Sequence, residues 1–193
     1  MELRRLPPDE DVLRRFAREC WLPYHRDLAA ASASHALADW DDDRIVEANV
    51  DFYRGQFEQE GRRGWLAVVP AADAAGGEGG DEGDDDAVDP TTVALTDPDI
   101  ELVGHLLTEV DEAPPVFDRP DRLVIGDIYV REPYRSTGLA DRLVERAAAD
   151  AREHGCEELR LDVDAGNERA LAFYAKQGFE PYRKQLTRDV DGV

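Results

Sequence analysis

The sequence predicts an α/β protein: a mixed central sheet of about six to seven strands flanked by about four helices. Three observations predict it. Short apolar, β-branched runs such as Leu123 to Val130 alternate with longer amphipathic segments. Their order reads strand, two helices, three strands, helix, strand, helix, strand. The stretch from Ile128 to Ala140 also runs from a strand into a helix through a glycine-containing turn.

Glu2 to Leu6 reads as a short strand. A helix starts at Pro7 or Pro8, with Asp9 near its cap and Val12, Leu13, Phe16 and Cys20 facing inward. A second helix, roughly Asp43 to Gln59, carries Ile45, Val46, Val50, Phe52, Tyr53 and Phe57, and Trp65 to Val69 is a strand. Residues 71–90 are rich in Gly and Asp with almost nothing to bury, so a disordered acidic insertion is expected there; the Asp spacing lacks the EF-hand pattern. Thr91 to Thr96 reads either as a short strand or as part of the same excursion. Glu101 to Val110 and Leu123 to Val130 are strands.

The following helix, roughly Thr137 to His154, places Leu139, Leu143, Ala147 and Ala151 on one face. It turns Asp141, Arg142, Glu145, Arg146, Asp150 and Arg152 to water, and Gly155 stops it. Leu159 to Val163 alternates as the next strand, and Phe179 to Thr187 supplies closing strands. The 193 residues are expected to form one domain.

A helix start leaves backbone N–H groups unpaired and carries the positive end of the helix dipole, so phosphate oxygens bind there when no side chain intervenes. Arg135-x-x-Gly138-x-Ala140 has that form, because Gly138 removes a side chain and Ala140 keeps the next turn slim. A dinucleotide-binding turn is the rival, with Asp162 and Asp164 at the ribose-binding distance, yet the Gly-x-Gly-x-x-Gly pattern is absent. The first motif resembles motif A of the GCN5-related N-acetyltransferases (GNAT). Asn167-Glu-Arg-Ala170-Leu-Ala-Phe-Tyr174-Ala-Lys-Gln-Gly178-Phe179 is similar to that family's motif B. The two stand in the right order, separated by a strand.

The resemblance implies the GNAT-type acyl-CoA N-acyltransferase fold and direct acetyl transfer from acetyl-CoA to a primary amine, without metal or covalent acyl-enzyme. It implies that backbone groups of Ile128, Tyr129 and Val130 meet the pantetheine arm. Arg135, Ser136, Thr137, Gly138, Leu139 and Ala140 would hold the pyrophosphate, with Asn167 on the coenzyme side. Tyr174 falls on the motif B tyrosine that serves as general acid; capping is the alternative role of Asn167 and core packing that of Tyr174. Asp127 is the candidate base, with His105, Glu109 or a water chain as alternatives. The two early helices would flank the acceptor, making Trp21, Tyr24, Trp40 and Tyr53 candidate pocket walls. The acceptor is left open between a small molecule and a protein amino group, as is a homodimer. An acyl-CoA sensor without turnover is the competing class.

The chain carries 44 Asp and Glu against 23 Lys and Arg, a formal net charge of -21, and Lys176 and Lys184 are its lysines. Such a surface has no basic patch for nucleic acid, whereas a few oriented backbone donors can still hold coenzyme A. Cys20 and Cys156 make no metal-spaced pair. No apolar run is long enough to span a membrane, and the first residues lack a signal peptide's hydrophobic region, so a cytoplasmic location is expected. Acid excess with scarce lysine resembles the proteins of organisms that keep molar salt inside the cell. Self-repulsion loosens such a chain in dilute buffer, while at 1 M salt a Debye length of about 3 Å screens it. The melting temperature should therefore rise as KCl is taken from millimolar to molar concentration, measured by circular dichroism; a flat response would remove the salt-adaptation reading.

Overall fold

Five strands, Glu2–Arg5 (β1), Arg62–Pro70 (β2), Ile100–Asp111 (β3), Arg122–Val130 (β4) and Glu158–Leu161 (β5), make one sheet in the order β1-β2-β3-β4-β5. The computed structural model describes residues 1–74, 88–188 and 190. Neighbours from β1 to β4 are antiparallel and β4–β5 is parallel, so the sheet is mixed as expected. The chain divides into two compact units, Met1–Asp162 and Val163–Val193, and the sheet belongs to the first.

Among the described residues, five strands stand where six to seven were expected. Phe179 to Thr187 has no regular structure: Pro181 interrupts it, and Tyr182 and Leu186 are exposed, so no buried face selects a pairing register. Thr91 to Thr96 forms turns, with the Asp89 carboxylate accepting from the N–H and hydroxyl of Thr91. Of the acidic insertion, residues 75–87 lie outside the described set. Ala71–Ala74 makes one helical turn (α4) that continues from β2.

Asp9 caps the first helix, Glu10–Phe16 (α1), by accepting from Val12 N–H at 3.0 Å. The chain then passes through a π-helical turn at Ala17–Trp21 into a helix the sequence reading did not separate, Leu22–Ala31 (α2). Pro23 accounts for the irregularity. It has no N–H to give to the carbonyl four residues back, and the ladder steps instead through Leu22 N–H to Ala17 O. Asp41 caps the next helix, Asp42–Phe57 (α3), through Arg44 N–H at 2.9 Å. Val12, Leu13, Phe16, Val46 and Val50 from these helices close over Leu66, Leu102 and Leu107 of the sheet as one apolar cluster.

The opposite face is covered by Leu139–Glu153 (α5), whose Leu139, Leu143, Ala147 and Ala151 are buried as the periodicity predicts, and Gly155 ends it. Asp150 corrects the sequence reading. It is 0% exposed and takes hydrogen bonds from Trp65 Nε1 at 2.7 Å, Arg146 at 2.8 Å, Arg63 at 3.1 Å and Thr108 Oγ1 at 3.5 Å. A carboxylate is stable in the interior when its lone pairs are matched this way. In the second unit, Glu168–Lys176 (α6) is capped by Asn167, whose Oδ1 accepts from Ala170 N–H at 3.1 Å.

His105 on β3 is fully buried and neither ring nitrogen has a hydrogen-bond partner. The rings of Phe16, Tyr24 and Tyr129 surround it, and burial drives its pKa down to about 3. The folded state thus binds a proton less readily than the unfolded chain, whose histidine titrates near 6.5. Stability from this site is complete above about pH 6.5 and falls by about 1.4 kcal/mol per pH unit as pH drops from there toward the folded value. Chemical denaturation between pH 7 and 4.5 should show the wild type losing stability faster than His105→Leu; parallel curves would contradict a buried neutral imidazole.

Candidate active site

The turn between β4 and α5 contains two residues in the left-handed region, Ser136 at φ 66° and Gly138 at φ 85°. Gly138 is the N-cap and provides no side-chain acceptor for the first turn of α5. A Cβ there would meet nothing within 4 Å, so the glycine answers the backbone conformation and leaves open space before the helix start. The Thr137 hydroxyl donates to Tyr134 O at 2.7 Å and Arg135 is anchored through Val130 O at 3.1 Å and Asp27 at 2.9 Å. The side chains of Thr137 and Arg135 thus hold the turn together. The anion-binding capacity lies in its main chain, together with Leu139 and Ala140 at the start of α5.

One edge of β4 changes character along its length. Arg122 to Ile125 pair with Glu158 to Leu161 of β5, and the pairing stops there. On the other side β3 continues to Val130, with a bulge that leaves Gly126 opposite no residue. Arg131 N–H donates to Val103 O at 2.9 Å; antiparallel alternation then points the backbone groups of Tyr129 toward β3 and those of Ile128 and Val130 away from it. The candidate residues Ile128, Tyr129 and Val130 therefore lie on a strand segment with an unpaired edge, leading directly to the Gly138 turn.

The bulge also aims Asp127 into a cleft of about 550 Å³ between α3, the α1–α2 segment and the sheet. Trp21, Trp40 and Tyr53 line it, as expected, while Tyr24 packs on His25, His105 and Tyr129. The Tyr53 hydroxyl donates to Asp127 Oδ2 at 3.4 Å. Burial raises the Asp127 pKa and nearby His25 opposes that shift; burial lowers the pKa of His25 while Asp127 opposes it.

His25 was not singled out from the sequence. It lines the cleft, stacks on Trp21 with ring centroids 3.9 Å apart, and sets Nδ1 3.1 Å from Trp21 O. A carbonyl only accepts, so Nδ1 carries the proton and the neutral ring presents its lone pair at Nε2. Only the four-residue spacing of Trp21 and His25 on a helix hinted at this. Of the other candidate bases, Glu109 lines the cleft but is paired with Arg62 at 2.6 Å, and His105 is enclosed by rings.

In the second unit, Tyr174 is in the last turns of α6. Gly178 at φ 84° ends the helix, with Gly178 N–H on Ala175 O at 3.2 Å and Phe179 N–H on Tyr174 O at 3.0 Å. The Phe179 and Tyr174 rings touch edge to face at 5.6 Å. This is a helix stop with its hydrophobic clasp, and it gives a local reason for Tyr, Gly and Phe at that spacing. Among the described residues no cluster of His, Cys, Asp and Glu could hold a metal, and Cys20 and Cys156 are free and buried.

Residues 73–179 match the family described as "Acetyltransferase (GNAT) family". A 55-residue stretch is 44% identical to the N-alpha-acetyltransferase MAK3 of Arabidopsis thaliana, covering 28% of this chain and 29% of that protein. Over 78 residues the identity is 35% to glucosamine 6-phosphate N-acetyltransferase of Trypanosoma brucei brucei, with 39% and 51% covered. The chain thus spans about half or less of these curated relatives. Among solved structures, the tetramutant of the BH1408 protein from Bacillus halodurans superimposes with TM-score 0.66 at 15% identity, over 98% of this chain and 100% of that one. That likeness shows the fold.

Proposed function

The chain belongs to the acetyltransferase (GNAT) family, and from that premise we propose that it transfers an acetyl group directly from acetyl-CoA to a primary amine. The observation that carries this reading is the free edge of β4 ending in an uncapped helix start. An extended amide-bearing arm pairs with a strand edge, and a pyrophosphate suits the backbone donors beyond it. Ile128 and the N–H of Val130, whose carbonyl already accepts from Arg135, supply the edge groups, and the turn from Arg135 to Ala140 the phosphate donors. Asn167 is assigned to the coenzyme side from its place in the second motif.

The acceptor enters the cleft as an ammonium ion and must lose a proton before it can attack. Asp127 and His25 take it as a pair, and their proton affinities are set jointly. The amine nitrogen then bonds to the thioester carbonyl carbon, a main-chain N–H of β4 stabilises the oxyanion, and the carbon–sulfur bond breaks. Tyr174 gives its proton to the departing thiolate, a role assigned from its place in the second motif, and the bonded nitrogen releases its second proton to solvent, from which the phenol is restored. The whole chain acts as one domain, and its acidity suits a salt-rich cytoplasm.

Two substitutions test the coenzyme site. Gly138→Ala carries the backbone strain of a left-handed residue alone, whereas Gly138→Glu adds bulk and negative charge in the open space before α5. Calorimetry in molar KCl should show modest weakening of acetyl-CoA binding for Gly138→Ala and near-complete loss for Gly138→Glu, with native circular dichroism in both. Equal affinities would move the pyrophosphate elsewhere.

Tyr174→Phe retains the ring contact with Phe179 and deletes the proton. Coenzyme A release should fall roughly 10²-fold with little change in melting temperature or coenzyme affinity. A lowered melting temperature with normal turnover, where chemistry limits the rate, would make Tyr174 a packing residue. Asp127→Asn should lower kcat and move the rise of kcat/KM to lower pH, since the negative charge that holds up the His25 pKa is then gone.

A further inference from the structure

Three buried polar atoms on residues of the cleft wall have no partner, the donor Trp21 Nε1 and two amide oxygens. Asn49 Oδ1 and Gln56 Oε1 are buried without a hydrogen bond, one on a residue only 6% exposed, and both residues face the cleft from α3. They stand seven positions apart, two turns on one helix face, with Phe52 and Tyr53 between them. An unmatched acceptor in an apolar wall is costly to the folded protein, and it is relieved by a ligand that brings an N–H or O–H.

The charges sharpen this. The cleft has two arginines on its wall, yet Arg62 is held by Glu109, and Arg63 by Asp150 and Glu153. Asp127 has no guanidinium or ammonium partner among the described residues; Tyr53 O–H, His25 and His35 are its company. Asp127 is therefore an acid with no cationic side chain paired to it, while the Arg44 guanidinium stands on the far aromatic wall, 3.9 Å from the Trp40 ring centroid. The wall around Asp127 favours a single ammonium group and offers a phosphate no partner there. A polyamine would leave its further charges against an apolar wall.

That wall is aromatic. Trp21, Trp40, Tyr53 and Phe57 line it, and Phe52, 55% exposed, stands at its mouth. Flat rings at the entrance of a cavity of about 550 Å³ suit an apolar body the size of one or two rings. We infer that the acceptor is a monoamine with a large apolar or aromatic body and an additional hydrogen-bond donor. An indole-bearing alkylamine fits, and so does a peptide N-terminus whose first side chain is large and apolar. In the peptide the second residue's amide N–H supplies the donor. The inference rests on the acetyl-transfer reading for the identity of the reacting group.

The test uses tryptamine, the peptide Trp-Ala-Ala, spermidine and glucosamine 6-phosphate, each followed by coenzyme A release from acetyl-CoA and separately by calorimetric binding. The full chain is used in molar KCl. Tryptamine and the peptide should show KM values at least tenfold below those of the other two. Either order between them supports the proposed chemistry, and the order tells whether a free amine or a protein terminus supplies it. Asn49→Leu should raise the tryptamine KM about tenfold while leaving the melting temperature unchanged or higher, because it removes an unmatched polar atom. An unchanged KM, or comparable or better turnover of spermidine or glucosamine 6-phosphate, overturns the inference and leaves acetyl transfer standing. Tight tryptamine binding with no coenzyme A release from any amine has the opposite meaning: the cleft assignment survives and the acetyl-transfer reading fails. Absence of tryptamine binding in both assays overturns the inference.

Discussion

A buried carboxylate seats the helix on which the proposed coenzyme site depends. Asp150 is on α5, and its four donors come from β2, β3 and α5 itself. Removing a carboxylate from water costs several kcal/mol, so this arrangement persists only while its hydrogen bonds are made. It ties the C-terminal half of α5 to the sheet at a fixed depth. Leu139 and Leu143 then bury the N-terminal half, which fixes where the first-turn N–H groups of α5 emerge after Gly138. A purely apolar contact would tolerate small slides along the sheet; the directional bonds of Asp150 do not.

On β4, the bulge at Gly126 gives one strand two tasks. Regular alternation would send Val124 and Asp127 to opposite faces, because they are an odd number of positions apart. The extra residue shifts the phase so that both line the cleft under α3. Beyond the bulge β4 has also left β5, which frees its edge from Ile128 onward. Acid and free edge thus arise from one local irregularity, placing a candidate proton acceptor beside the segment proposed to meet the thioester. Bulges recur next to active sites for this reason.

Much of this was legible in the chain because the signals were local. Asp9 before an apolar-periodic run, Gly155 after another, and the β-branched run into Gly138 each report on the residues that surround them. The signals that failed depend on partners distant in sequence. Asp150 reads as a solvated helix residue until Arg63, Trp65 and Thr108 are placed around it. Phe179 to Thr187 looks like strand from its aromatic and branched residues, but strand formation needs a buried face to select its register, and Tyr182 and Leu186 are exposed. His25 carried no motif; its role comes from the carbonyl of Trp21 and from Asp127, which lies in another part of the chain. Asn167 illustrates a third situation, since the residue expected for its coenzyme role is also the cap of α6.

The cleft owes its aromatic wall to a break in helix regularity. Without Pro23 the ladder of α1 would run on at 3.6 residues per turn, and residues beyond it would keep the phase of Phe16 and Cys20, which face the core. The π-helical turn inserts an extra residue into that phase. Cys20 stays buried, with its thiol pKa pushed up to about 12 by desolvation, while Trp21 and His25 turn to the cleft. Asn49 and Gln56 answer them from α3 with acceptors that folding alone does not satisfy. Cores normally match such groups, so those left unmatched call for an explanation. The helix break, the unmatched amides and Asp127 therefore meet at one cavity, the one proposed to take the acceptor.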